Sequence, residues 1–444
     1  MKDLTRRGFL GLAGAATAAA GLSACAGTGT GPAPAGSGAG GGGGAAGGAS
    51  NTIDFWSNHP GSSKETEQKL ITAFQAANPG LTVKLTDAGK NYEEVAQKFN
   101  ASLAGGQLPD VVVASDVTWF NFALNKQLTP LDELLTAATL TTTDYVDSLY
   151  KDYLFNGKHF ALPFARSTPL FYYNKELWAA AGLPDRGPKT WEEFAEWGPK
   201  LAKSVGSDKT ALLLADGSNY LDWYFQSFVW GKGGAYSKEW TPTFTDPKTV
   251  EAGKLLQSLA TQKVARFNKA PGTDFGAGLA GCMLESTGSL GGVTKAAKFT
   301  VGTAFLPAPE GVPACPTGGA GVAIPAGISD ERKKNALKFI EFLTNAQNTV
   351  TFTQATGYMP VRKSALDNPD EKAFLDKNKN AKTAVEQLPK TRSQDYARVF
   401  IPGGGARIGK ALDQIVQGGD VTAVFKTLND ETQQVFDSQI KSKL

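Results

Sequence analysis

Histidine is nearly absent from this chain: two in 444 residues, His59 and His159. A Ser-His-Asp triad or a histidine-rich metal centre is therefore poorly supplied, and the reading that emerges is not that of an enzyme. Charge of one sign is also lacking. Forty-five Lys and Arg stand against 42 Asp and Glu, for a net charge of +3 with no basic block. That balance argues against nucleic acid as a partner. Beyond the N-terminal stretch, no apolar run reaches membrane length. There are only three cysteines, Cys25, Cys282 and Cys315, and their spacing forms no metal-site pattern. With 41% hydrophobic and 20% charged residues, the body suits a globular protein of two or three lobes.

The N-terminus carries Thr5-Arg6-Arg7-Gly8-Phe9-Leu10, a twin-arginine export motif. The apolar stretch over 9–22 falls short of the ~20 residues that span a bilayer as a helix, so it reads as a signal h-region. Leu22-Ser23-Ala24-Cys25 resembles a lipobox, with Cys25 as the lipidated residue. Residues 1–25 are thus expected to be a lipoprotein signal. Residues 26–50, almost entirely Gly, Ala, Ser, Thr and Pro, cannot bury apolar surface and are expected to form a tether. Twenty-five residues of glycine-rich coil span ~27 Å. The protein is placed outside the cytoplasm, held to the cell membrane by lipid. In that oxidising setting Cys282 and Cys315 could form one disulfide, or stay as two buried thiols.

The body begins with alternation over 52–56, a strand. Ser62-Ser63-Lys64-Glu65 has the form of a capping box opening a helix that puts Leu70, Ile71, Phe74 and Ala77 on one face. Asn78-Pro79-Gly80 ends it. A second strand is expected over 81–86, a helix over 93–104, and a doubly covered strand over 111–114. This order implies a parallel α/β sheet with right-handed crossovers. Ligands on such sheets sit beyond the carboxyl ends of the strands, here at Ser57-Asn58-His59, Gly89-Lys90-Asn91-Tyr92 and Ser115-Asp116.

Further along come Leu162-Pro163-Phe164, Ser167-Thr168-Pro169, Tyr172-Tyr173-Asn174-Lys175, Gly182-Leu183-Pro184 and Pro188-Lys189-Thr190-Trp191, with Thr190 as an N-cap. In this order they resemble the extracellular solute-binding proteins of ABC importers. Glu285-Ser286-Thr287-Gly288-Ser289-Leu290, Thr317-Gly318-Gly319, Thr356-Gly357-Tyr358-Met359-Pro360 and Gly405-Ala406-Arg407-Ile408-Gly409 resemble one branch of that family. That branch binds sn-glycerol 3-phosphate and glycerophosphodiesters such as glycerophosphocholine, and the actinobacterial lipoprotein type fits best.

The resemblance implies a two-lobed periplasmic-binding-protein fold, α/β in class, with a hinge and a ligand cleft between the lobes. One lobe is expected to hold 51–164 with 299–345, the other 165–298 with 346–444. It further implies a small-molecule ligand, ABC permease subunits as partners, no cofactor and a monomer. The ligand residues carried over are Tyr92, Asp116 (where the family has glutamate), Ser167, Ser286, Gly319, Tyr358 and Arg407. Tyr220 and Trp223 stand near where enteric members carry stacking tryptophans.

The chemistry of this set is coherent. An arginine offers an always-charged fork for phosphate, the hydroxyls add donors, and Gly319 admits a close backbone approach. Ser286-Thr287-Gly288-Ser289 has the form of a helix start, which favours an anion. Gly404 to Lys410 mimics a nucleotide-binding loop, but Ala411 replaces the hydroxyl residue that would hold magnesium. One arginine opposite an aspartate suits a singly charged phosphodiester better than a doubly charged monoester. A neutral sugar is the alternative ligand, and a secreted phosphodiester hydrolase the alternative of another class.

Overall fold

The computed structural model describes residues 51–444. The expected signal, Cys25 and the tether lie outside the described residues.

The strand and helix pattern read from the first sixty residues of the body is present. Thr52–Ser57 pairs in parallel with Thr82–Asp87 and with Val111–Ser115. All five residues of Val111–Ser115 are buried, as a strand covered on both faces must be. Gly318–Ala323 joins antiparallel beside it and Leu162–Ser167 closes the edge, giving a five-stranded sheet. The helix Lys64–Ala77 buries Leu70, Ile71 and Phe74. The expected capping box is not formed. Ser63 is the N-cap but its hydroxyl is donated to Glu67 Oε1 at 3.0 Å, where it helps satisfy a buried carboxylate. Thr190 caps as expected, its Oγ1 accepting from Glu193 N at 3.2 Å.

A second five-stranded sheet repeats the scheme. Ala265–Asn268, Thr210–Ala215 and Ala280–Ser286 run parallel, then Pro169–Asn174 and Val301–Ala304 follow antiparallel pairings. The chain passes from the first sheet to the second at Thr168, and back between residues 304 and 318. A two-residue parallel bridge, Cys315–Pro316 with Thr391–Arg392, reinforces this region.

The lobe boundaries differ from the expected ones at three places, the first being that residues 165–167 stay in the first sheet. Val301–Ala304 hydrogen-bonds to Pro169–Asn174, so the return to the first lobe comes after it, not at residue 299. The helices Asp330–Leu343 and Ala346–Thr356 both pack on the first sheet. Phe339 meets Phe55 and Phe74, and Phe352 meets Phe164, so residues 346–356 belong to the first lobe. The helices Gly404–Val416 and Val421–Val435 pack on the second lobe, where Phe425 meets Phe225 and Phe244. Helix identity is local; which sheet receives a helix depends on contacts far away in sequence.

The cysteines are two separate buried thiols, not a disulfide. Cys282 lies opposite Tyr173 in the second sheet, while Cys315 sits 3.9 Å from the carbonyl of Pro169. Pro169 is opposite Ser286, four residues along the strand from Cys282, or ~13 Å at the strand rise. A disulfide needs Cα atoms within ~7 Å. Burial pushes both thiols well above their ordinary range. Both are expected to resist a water-soluble thiol reagent in the folded protein and to react in denaturant without reductant; a bridged pair would stay silent in both states.

Candidate functional site

The carboxyl ends of the strands from both sheets open onto one cavity of about 830 Å³. Eight of the nine expected ligand residues line it: Tyr92, Asp116, Ser167, Tyr220, Trp223, Ser286, Gly319 and Tyr358. They come from seven separate segments of chain, since Tyr220 and Trp223 share one, and only the tertiary fold brings them together.

Tyr92 opens the helix Tyr92–Gly105, whose N-cap Asn91 accepts from Glu94 N at 2.9 Å. Its hydroxyl lies 3.3 Å from that of Tyr358, on the turn that follows Ala346–Thr356. Burial raises both phenols, Tyr358 to about 12, so both are neutral and one donates to the other. Asp116 follows Val111–Ser115 directly, and its backbone N–H donates to the carbonyl of Gly319 at 3.0 Å. Gly319 has φ of +88°, and a Cβ there would lie 2.1 Å from the carbonyl oxygen of Ala165. Only glycine fits. Ser167 ends its strand beside Gly318 and is buried.

From the second lobe, Ser286 caps a 3-10 turn, Thr287–Ser289, its Oγ accepting from Gly288 N at 3.1 Å. The expected helix start is therefore a tight turn, with the Ser286 proton still available to a ligand. Tyr220 takes up the left-handed region at φ 67° and is 37% exposed. Trp223 is buried, donates Nε1–H to Thr317 O at 3.0 Å and packs its ring on Gly318. Of the two aromatics considered for stacking, Tyr220 presents an open ring, while Trp223 is largely committed to the hinge.

Arg407 is not on the cavity wall. Its Nη1 donates to Pro402 O at 3.1 Å and its Nε to Thr432 Oγ1 at 3.4 Å, which holds the side chain against the helix Val421–Val435 and off the cavity wall. The guanidinium that does line the cavity is that of Arg398, which sequence reasoning missed. A signal was available: Arg398 stands in Ala397-Arg398-Val399-Phe400, and a cation in an apolar run is often held by partners. Here the partners are acidic. Nε donates to Asp222 Oδ2 at 2.6 Å and Nη1 reaches Asp116 Oδ2 at 3.4 Å and Gln394 Oε1 at 2.5 Å. Burial opposes the charge on Arg398, but Asp222 and Asp116 outweigh it and raise its pKa. Nη2 makes no hydrogen bond among the described residues.

Next to Arg398, Gly403, Gly404, Gly405 and Ala406 bring the N-terminus of the 13-residue helix Gly404–Val416 to the cavity. Its free N–H groups and dipole add a second anion-favouring element. The loop that mimics a nucleotide-binding sequence therefore does face the cleft. Against Arg398 and Lys410 stand five carboxyl groups on the wall: Glu93, Asp116, Asp222, Glu285 and Asp413. Burial raises Glu285, opposed by the N–H of Ser286 and the hydroxyls of Tyr224 and Ser289. The arrangement offers one local anion site in a wall that is otherwise acidic and aromatic.

Residues 69–383 match the family described as bacterial extracellular solute-binding protein. The chain belongs to this family. Among curated solute-binding proteins, it is 27% identical to the sn-glycerol-3-phosphate-binding periplasmic protein UgpB of Escherichia coli K12 over 360 residues, covering 77% of this chain and 81% of that one. Among solved structures of such proteins, UgpB from Mycobacterium tuberculosis in complex with glycerophosphocholine superposes with a TM-score of 0.86 at 52% identity, covering 88% of this chain and all of that one. The GacH receptor of Streptomyces glaucescens superposes with a TM-score of 0.75 at 22% identity, over 87% and 98% of the two chains, a likeness of fold alone. The two-lobed architecture is thus that of the solute-binding proteins.

Proposed function

We propose that the protein captures glycerophosphodiesters such as glycerophosphocholine outside the cytoplasm and delivers them to the permease of an ABC importer, held to the membrane by lipid on Cys25. The observation that carries this reading is the anion site. A single guanidinium, Arg398, with Nη2 unengaged by the described residues, stands at a glycine-rich helix N-terminus inside a cavity whose five carboxyl groups outnumber its other cation, Lys410. Arg398 supplies the one buried positive centre, which suits a singly charged phosphodiester; Lys410 is exposed. Tyr92, Tyr220 and Tyr358 with the surrounding carboxyl groups suit a quaternary ammonium or a glycerol hydroxyl. The relatives support the same class: one is named for sn-glycerol 3-phosphate and one was solved with glycerophosphocholine. A neutral sugar is less well served, because Trp223 packs on Gly318 and leaves Tyr220 as the exposed stacking ring of that pair.

Calorimetric titration with glycerophosphocholine, glycerol 3-phosphate and maltose in parallel tests this. Glycerophosphocholine is expected to bind at micromolar Kd or tighter, glycerol 3-phosphate more weakly and maltose not at all. Binding of maltose alone would move the protein to the sugar carriers.

A further inference from the structure

Gln394 is buried four residues before Arg398 and is the point where the two lobes meet at the anion site. Its Oε1 accepts from Arg398 Nη1 at 2.5 Å and from Gln226 Nε2 at 3.0 Å. Two donors on Oε1 fix the direction of the amide, so its NH2 group must point the other way. There it donates to Asp116 Oδ2, the carboxylate contributed by the first lobe. With Nε given to Asp222 and Nη1 to Gln394 at 2.5 Å and more distantly to Asp116 at 3.4 Å, Arg398 has two of its three nitrogens engaged inside the protein.

We infer that Gln394 sets the selectivity of the cleft: by occupying one arm of Arg398 it leaves the ligand a single NH2 group. That grip matches the one negative charge of a phosphodiester. A phosphomonoester dianion gains most from a two-pronged fork, which Gln394 withholds. The same side chain clasps Asp116, so it also contributes to lobe closure. This inference rests on the reading of Arg398 as the phosphate ligand. It assigns to a neutral residue, outside the set legible in the sequence, the choice between two charge states of one ligand class.

The two roles separate in two variants, each titrated with glycerophosphocholine and glycerol 3-phosphate at a pH where the monoester is fully dianionic. Gln394→Ala removes the shorter of the two contacts on Nη1, leaving only Asp116 at 3.4 Å, and the ratio of Kd for monoester to Kd for diester is expected to fall by about tenfold or more, the worth of one charge-assisted hydrogen bond. Gln394→Glu keeps an acceptor for Arg398 but sets a carboxylate against Asp116. Both ligands should then weaken while the ratio holds or rises. A residue with a merely structural role would weaken both ligands equally in Q394A, and an unchanged ratio there overturns the inference. Q394E tests the point separately should Q394A fail to fold, since a ratio that falls in Q394E also overturns it. If the unsubstituted protein bound neither phosphate ester, the failure would lie with the proposed function itself, not with the role of Gln394.

Discussion

Replacing Arg398 with alanine is expected to weaken glycerophosphocholine binding by about a hundredfold or more. Arg398 is buried and carries the guanidinium on the cavity wall, with Nη2 the arm left for a ligand. Truncating one partner of a buried, hydrogen-bonded charge pair costs about 2–5 kcal/mol, because the opposing charge is left unpaired. Here two carboxylates lose their partner, Asp222 at 2.6 Å and Asp116 at 3.4 Å. The variant should therefore also melt at lower temperature. Arg398→Lys separates the effects: it restores a positive charge near both carboxylates but not the planar fork, so stability should recover more than affinity. Arg407→Ala is the matched control, expected to change affinity by no more than about threefold, since that side chain bonds to Pro402 and Thr432 outside the cavity. Calorimetric titration of the three variants decides the matter. Loss of binding in R407A with retention in R398A would return the phosphate site to Arg407.

The second large effect is expected at Gly319. Alanine there must adopt φ near +88° and place its Cβ 2.1 Å from the carbonyl oxygen of Ala165, a backbone atom that cannot swing aside. Destabilisation of about 3 kcal/mol or more is expected from strain and displacement together. The carbonyl of Gly319 also accepts from Asp116 N–H, so the shift would carry the Asp116 carboxylate with it and weaken binding as well. Gly106→Ala provides the comparison. Its φ of +70° carries the same backbone penalty, but a Cβ there meets nothing within 4 Å, so the cost should be about 1 kcal/mol. Urea unfolding of both variants measures the difference. Equal small losses would mean that the strand Gly318–Ala323 gives way easily beside Leu162–Ser167.

The contrast between Asp116 and Arg398 shows what was legible in the sequence and what was not. Asp116 follows an apolar strand directly, and the position after a buried parallel strand is where ligands collect, so local pattern and fold logic agreed. Tyr92 and Ser286 sit at equivalent strand or helix ends. Arg407 came from the family resemblance, within the motif Gly405-Ala406-Arg407-Ile408-Gly409, and the glycines before it do line the cleft. Helical geometry, however, carries the Arg407 side chain back to Pro402 and Thr432, whereas Arg398 reaches in from the preceding turn. Nine residues of sequence separation gave no sign of which would point inward. Gln394 was invisible for the same reason, since its three partners, Gln226, Asp116 and Arg398, come from three different segments.

By itself, the sequence determined the elements: alternation, helical periodicity, Thr190 at a helix start, and a close backbone approach at Gly319. These depend on interactions within a few residues, where side-chain period and backbone sterics decide the outcome. Tertiary structure alone decided that Val301–Ala304 joins the second sheet, that Ala346–Thr356 covers the first, that Cys282 and Cys315 stay apart, and that Arg398 rather than Arg407 faces the cavity. Each of those outcomes is set by a pairing between segments distant in the chain. Their free energies come from burying shared surface and satisfying buried polar groups, which no local pattern encodes.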